Sequence, residues 1–217
     1  MSRILLIGAT GGVGHRLLPL LVEAGHAVTA LHRTPAQGQV LRAAGATPLQ
    51  GDLMEMDAAA MTEAAKGQDV IVFSAGAAGS GLDRTAEIDG QGPVKMIAAA
   101  SANGISRVYL VSAMPEAGRG REVKPNFEVY MQTKKQADAA LVASDLDWVI
   151  LRPGTLLHED GDDAVRLSPA IPYGAVKRGN VAAVLARLID TPAIRREIFE
   201  LTDGDTPVAE AVAGLIR

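Results

Sequence analysis

Short apolar runs recur along this chain, separated by longer stretches whose apolar residues are spaced for one face of a helix. Residues 3–7, 27–32, 47–50, 69–74, 107–112, 147–152 and 198–202 are such runs, each short and mostly rich in branched aliphatics, and each predicts a strand. Between them, residues 12–24, 36–45, 57–66, 86–103, 128–144, 180–190 and 207–216 predict helices. Strands separated by helices need crossovers, and right-handed crossovers build a parallel sheet covered on both faces. The expected fold class is therefore α/β: one doubly wound parallel sheet, a single domain over residues 1–217, with a small C-terminal substrate-side extension. Gly25, Gly67 and Gly104 each fall just past a predicted helix and Gly45 closes one, positions where a left-handed residue is wanted. Two stretches, 115–127 and 154–179, break the alternation. Both follow predicted strand ends, on the edge where such sheets bind ligands, and 154–179 reads as a substrate-side segment within the one domain.

The first strand runs straight into Gly8-Ala9-Thr10-Gly11-Gly12-Val13-Gly14 and then a helical pattern from Arg16 to Leu21. A strand that feeds a glycine turn at a helix start presents unpaired backbone amides to an anion, the arrangement that holds a dinucleotide's pyrophosphate in a Rossmann fold. Gly8 would supply the tight turn, Gly11 the close approach of amides to phosphate, and Gly14 the close packing of helix on strand. The end of the second strand then bears on the choice of cofactor. An acidic residue there would accept hydrogen bonds from the ribose of NAD, but the chain has Leu31-His32-Arg33-Thr34 and no nearby carboxylate. Arg33, with Thr34 beside it, suits the 2′-phosphate of NADP, so NADP(H) is expected in preference to NAD(H). Gly51-Asp52-Leu53 ends the third strand, where Asp52 either meets the adenine edge or caps the following turn.

Composition narrows the possibilities without choosing among enzymes. The 217 residues carry a net charge of −4 and contain no basic run, which argues against nucleic acid and anionic membranes as partners. No apolar stretch is long enough for a membrane span, and no signal-type pattern opens the sequence. The absence of cysteine excludes disulfides and thiolate chemistry and makes a cytoplasmic location the default expectation. The four histidines, His15, His26, His32 and His158, show no ligand spacing, so no metal site is expected. The expected partner is a small-molecule substrate, and the expected assembly a monomer or small homo-oligomer.

Taken together, Gly8 to Gly14, Arg33, Gly51-Asp52, Ser74-Ala75-Gly76, Asp89-Gly90, Val111-Ser112, Tyr130 with Lys134, and Leu146 to Gly154 follow the order found in atypical short-chain dehydrogenase/reductases. The chain resembles their compact NAD(P)-binding group, with relatives among flavin and biliverdin reductases and NmrA-like regulators. The resemblance adds Ser74, Ala75, Gly76, Lys134, Pro153 and Gly154 to the expected cofactor contacts. It also implies Tyr130 as general acid in carbonyl reduction, Lys134 as ribose holder and tuner of the tyrosine, and Ser112 as a polarising donor. Residues four apart share a helix face, so Lys134 is placed to favour the ionised form of Tyr130. A tyrosine and a lysine at this spacing also fit ordinary packing and solvation. For Arg152 a salt bridge is expected ahead of a substrate contact. Trp148 and Ile150 are expected in the core, and Asn180 as a helix N-cap. Phe127 and Tyr173, the aromatics of the two irregular stretches, are candidate stacking surfaces for a planar substrate in an open, shallow site. Two functions are expected: an NADPH-dependent reductase of a small carbonyl, quinone or flavin-type acceptor, or alternatively a non-catalytic NADP(H)-binding redox sensor of NmrA-like type.

Overall fold

Alternation within each buried strand decides the architecture. In β1 (Arg3–Ile7), Ile4 and Leu6 join one hydrophobic cluster while Leu5 and Ile7 join another; β4 (Val70–Phe73) divides the same way, Val70 and Val72 against Ile71 and Phe73. Successive side chains point to opposite faces, so a strand apolar at every position must be covered on both sides. The computed structural model describes residues 1–120 and 122–216; position 121, within the irregular stretch 115–127, and the last residue of the expected domain lie outside them.

The remaining elements are β2 (Ala27–His32), β3 (Thr47–Gln50), β5 (Arg107–Val111), β6 (Asp147–Pro153), β7 (Thr155–Leu157), β8 (Ala164–Ser168), β9 (Ala175–Lys177), β10 (Glu197–Asp203) and β11 (Thr206–Pro207). The helices are α1 (Gly14–Glu23), α2 (Pro35–Ala43), α3 (Ala58–Ala64), α4 (Leu82–Arg84), α5 (Gly92–Ala102), α6 (Pro125–Val142), α7 (Arg178–Ile189) and α8 (Val208–Ala213), with a π-helical turn at Thr85–Gln91 between α4 and α5. The main sheet has the order β11-β8-β10-β6-β5-β4-β1-β2-β3. It is parallel from β3 through β10, and β8 and β11 add an antiparallel edge. The chain leaves β1 towards β2 and β3 and returns on the other side through β4, β5 and β6. The strand order therefore reverses between β1 and β4, where a crevice opens at the carboxyl ends. This is the doubly wound Rossmann-type sheet that the alternation predicts, in one domain.

Two parts differ from the sequence reading. Residues 154–179 contain three strands: β7 and β9 pair as a separate parallel ribbon, and β8 joins the main sheet. Their three to five residues are too few for a periodic signal. Helix α6 begins at Pro125, so Phe127 stands in its first turn and not in an irregular segment. Pro at a helix start loses no hydrogen bond that the helix needs.

Candidate functional site

The β1–α1 turn is shaped by two contacts that tolerate no side chain. Gly8 has φ +90°, and a Cβ there would lie 2.5 Å from the Ala75 nitrogen on the neighbouring strand's extension. At Gly14 a Cβ would lie 2.1 Å from the Gly8 carbonyl oxygen. The turn closes through the Gly11 amide donating to Gly8 O at 2.9 Å, while the amides of Gly12 and Val13 donate to no acceptor among the described residues. Free amides at a helix mouth offer an anion what water would otherwise supply.

A cleft of about 850 Å³ opens over this turn. Its lining includes Gly8, Thr10, Gly11, Gly12, Val13, Arg33, Asp52, Leu53, Ser74, Ala75, Gly76, Ser112, Tyr130 and Lys134, so one concavity gathers side chains from five strand ends and α6. Ala9, Gly14, Thr34, Pro153 and Gly154 do not line it. Ala9 is fully buried in the core and Gly14 serves packing. Thr34 caps α2, its hydroxyl accepting from the Gln37 amide at 3.4 Å while Gln37 reaches back to the Thr34 amide at 3.1 Å. Pro153 pairs with Leu201 of β10, and Gly154 lies so close to Gly174 that a Cβ would be 2.0 Å from its carbonyl oxygen. Asp52 both lines the cleft and caps the turn after β3, accepting from the Met54 amide at 3.0 Å. Arg33 is exposed, and its guanidinium has no carboxylate partner among the described residues.

Beneath Tyr130 lies a buried charge network. Lys134 Nζ donates to the Val111 carbonyl at 3.0 Å and stands 3.6 Å from Asp89 Oδ1, both side chains being almost fully buried. Asp89 Oδ2 in turn accepts from the Ala77 amide at 2.9 Å. One turn beyond Lys134, Asp138 Oδ2 accepts from Arg152 Nε at 2.8 Å, so Arg152 makes the expected salt bridge. Ser112 lies beside Asp138, close enough to hold that carboxyl's pKa down, but short of hydrogen-bond geometry; neither Ser112 Oγ nor Asp138 Oδ1 has a partner among the described residues. Burial nevertheless wins at Asp138 and pushes its pKa up.

The structure gives Lys134 partners other than the Tyr130 hydroxyl. Lys134 points to Val111 and Asp89, not to the phenol. Burial first, then the negative charges of Asp89 and Asp138, push the Tyr130 pKa up to about 12. Burial also pushes Lys134 down against the pull of the same two carboxylates. Helical spacing put lysine and tyrosine on one face, but the strand carbonyl and the buried aspartate compete for the ammonium and win.

Other expectations divide. Phe127 lines the cleft with its ring 6.1 Å from that of Tyr130, whereas Tyr173 stays outside it and shares a hydrogen bond of 2.5 Å with Thr155. Trp148 and Ile150 are core. Asn180 is no N-cap: α7 starts two residues earlier, and the fully buried amide accepts from the Asp162 and Asp163 amides and donates to Asp162, Ala164 and Asp203. Sequence reasoning missed Asp89, Asp138 and Arg178 as site residues. Asp138 had a signal, since Tyr130, Lys134 and Asp138 repeat every fourth residue on α6, but nothing local points from Arg178 to a turn more than a hundred residues away. Among the described residues, no group of side chains is placed to hold a metal ion, and no helix is long and apolar enough to cross a membrane.

The glycine turn, the switch-point crevice and the cleft's free amides and cations define a dinucleotide-binding Rossmann protein. Residues 8–192 match the NAD(P)H-binding family, and the chain belongs to it. A Bacillus subtilis protein described as an uncharacterized sugar epimerase, YhfK, is 37% identical over 98% of this chain and 100% of its own. A putative NAD-dependent epimerase/dehydratase from Bacillus halodurans superposes with a TM-score of 0.89 at 34% identity, covering 99% of this chain and 100% of that one. ChuY, an anaerobilin reductase of Escherichia coli O157:H7, gives 0.76 at 27% identity over 93% of this chain and 97% of its own. Epimerase- and reductase-type proteins thus share this scaffold.

Proposed function

We propose that the protein is an NADPH-dependent reductase of a small carbonyl, quinone or flavin-type acceptor. The observation that carries this reading is the gathering of Ser112, Tyr130 and Lys134 in the same cleft as the Gly8–Gly14 turn. A phenol pushed up to about 12 by burial, Asp89 and Asp138 keeps its proton at neutral pH. A reaction that begins by removing a proton from a substrate hydroxyl needs the tyrosine ionised, and this environment opposes that. A reaction that ends by giving a proton to a nascent alkoxide needs it protonated. A protonated Tyr130 fits the acid role in reduction.

The reduced nicotinamide, when bound, supplies the hydride. Tyr130 hydrogen-bonds the acceptor oxygen and delivers its proton there, and Ser112, whose buried hydroxyl beside Asp138 makes no hydrogen bond among the described residues, donates a second hydrogen bond. Lys134, fixed by Val111 and Asp89, would hold the nicotinamide ribose, with Ser74, Ala75 and Gly76 along the cofactor's path. Arg33, lacking a carboxylate partner among the described residues, would grip a 2′-phosphate at the end of β2, which supports NADP(H) over NAD(H).

Replacing Tyr130 with Phe tests the assignment. Turnover of a carbonyl acceptor should fall about 10²-fold or more with NADPH affinity preserved. Unchanged turnover would remove Tyr130 as the acid.

A further inference from the structure

Arg178 opens α7, yet its side chain reaches the turn that opens α1. A Cβ on Gly12 would lie 2.5 Å from Arg178 Cδ and 2.6 Å from its Nε, so the arm of the arginine lies directly on the glycine turn. It lines the same cleft. Its one side-chain hydrogen bond among the described residues goes from Nη1 to the Leu156 carbonyl at 3.2 Å, and no carboxylate pairs with it. The neighbouring cation, Arg16, is already paired, donating to Asp160 at 2.8 Å and to the Gly12 carbonyl at 2.9 Å. Burial and the repulsion of Arg16 both push the Arg178 pKa down. A guanidinium held in an unfavourable electrostatic position beside free amides marks a place where an anion is wanted.

The arm is also built to be rigid. Leu156, the acceptor, sits on β7 opposite Val176 of β9, and Arg178 follows directly after β9. Close backbone approaches pin both ends of this ribbon: Gly154 on Gly174, and Gly179 on Gly161, where a Cβ on Gly179 would lie 1.9 Å from the Gly161 nitrogen. Asn180, next along the chain, ties the start of α7 to Asp162 and Asp203.

We propose that Arg178 clamps the diphosphate of the bound dinucleotide against the Gly8–Gly14 turn, and that the β7–β9 ribbon is the arm that carries this clamp. The proposal rests on the reading that the cleft takes NADP(H), and it gives part of the segment 154–179 a cofactor role. A diphosphate is common to both nicotinamide cofactors, so Arg178 acts on affinity and Arg33 on the choice between them.

Arg178→Gln separates the two, using equilibrium titration of the purified protein with NADPH, NADH and adenosine 2′-monophosphate, which carries the 2′-phosphate but no diphosphate. Both dinucleotides should bind about 10- to 100-fold more weakly, their ratio should be unchanged, and adenosine 2′-monophosphate should bind as to the parent. Arg178→Lys, which keeps charge but loses the planar fork, should fall between, and it carries the test if the glutamine variant does not fold. Unchanged dinucleotide affinity would overturn the clamp, as would an effect confined to the acceptor's KM, which would place the arginine on the substrate instead. Failure of the parent protein to bind any of the three ligands would overturn the NADP(H) reading itself.

Discussion

At the scale of single residues, the site is governed by competition for charge. Lys134 has a backbone carbonyl and a buried carboxylate within reach, and its ammonium satisfies both in preference to the Tyr130 hydroxyl. The consequence is a pH dependence of a particular sign. With its pKa raised to about 12, Tyr130 should contribute no loss of kcat between about pH 7 and 10. An ionisation near neutrality that disappears in Tyr130→Phe, measured as a kcat profile at saturating NADPH, would contradict this. A second titration lies far from the cleft. Asp69 accepts from Arg3 Nη2 at 2.6 Å and from the Arg3 amide at 2.8 Å, and its pKa is lowered from 3.8 to about 2. A carboxyl whose folded pKa is depressed contributes stability above its unfolded value and loses it as pH falls through the folded one. Asp69→Asn should therefore lower the Tm slightly at neutral pH, the pair being about half exposed, with the difference closing as the pH approaches about 2. A difference that persists there would mean that packing, not ionisation, sets it.

At the scale of elements, β1 and α1 meet through Gly8 and Gly14, and the spacing of these glycines has a steric cause. Gly14→Ala would force a methyl into the Gly8 carbonyl at 2.1 Å, a backbone atom that cannot swing aside. The expected cost is about 3 kcal/mol or more in urea unfolding, with dinucleotide binding lost alongside. A cost under about 1 kcal/mol would show that α1 can shift outward without consequence. This junction was legible because it is local: seven consecutive residues encode strand end, turn and helix start. The main strands were legible for the same reason, β1, β4, β5 and β6 most plainly because each carries an unbroken apolar run. So were the helix ends at Gly25, Gly45, Gly67 and Gly104, which all take positive φ. The ribbon β7–β9, the hub made by Asn180 and the seat of Arg178 were not legible. Their strands are three residues long, and their partners lie far off in sequence, from glycines that approach other glycines. Asn180 illustrates the limit: its residue type fits a cap, but the helix starts at Arg178, and burial among Asp162, Asp203 and Ala164 makes it a tertiary tie.

At the scale of the whole molecule, one sheet carries two cores, and the cleft sits where the winding reverses between β1 and β4. Its walls come from strand ends on both sides of that point, so a dinucleotide bridging them would stabilise the folded domain as a unit. NADPH at about 100 times its Kd should add about 2.7 kcal/mol and raise the Tm by about 5–11 °C. The reductase reading asks more than stabilisation, because it requires the phosphate on the adenosine ribose to be distinguished. The measurement that tests this most directly is a calorimetric titration of the protein with NADPH and with NADH, repeated on Arg33→Ala. NADPH should bind at least about tenfold tighter than NADH, with the preference lost in the variant while NADH affinity is retained. Equal affinities in the parent, or a preference that survives Arg33→Ala, would contradict that reading.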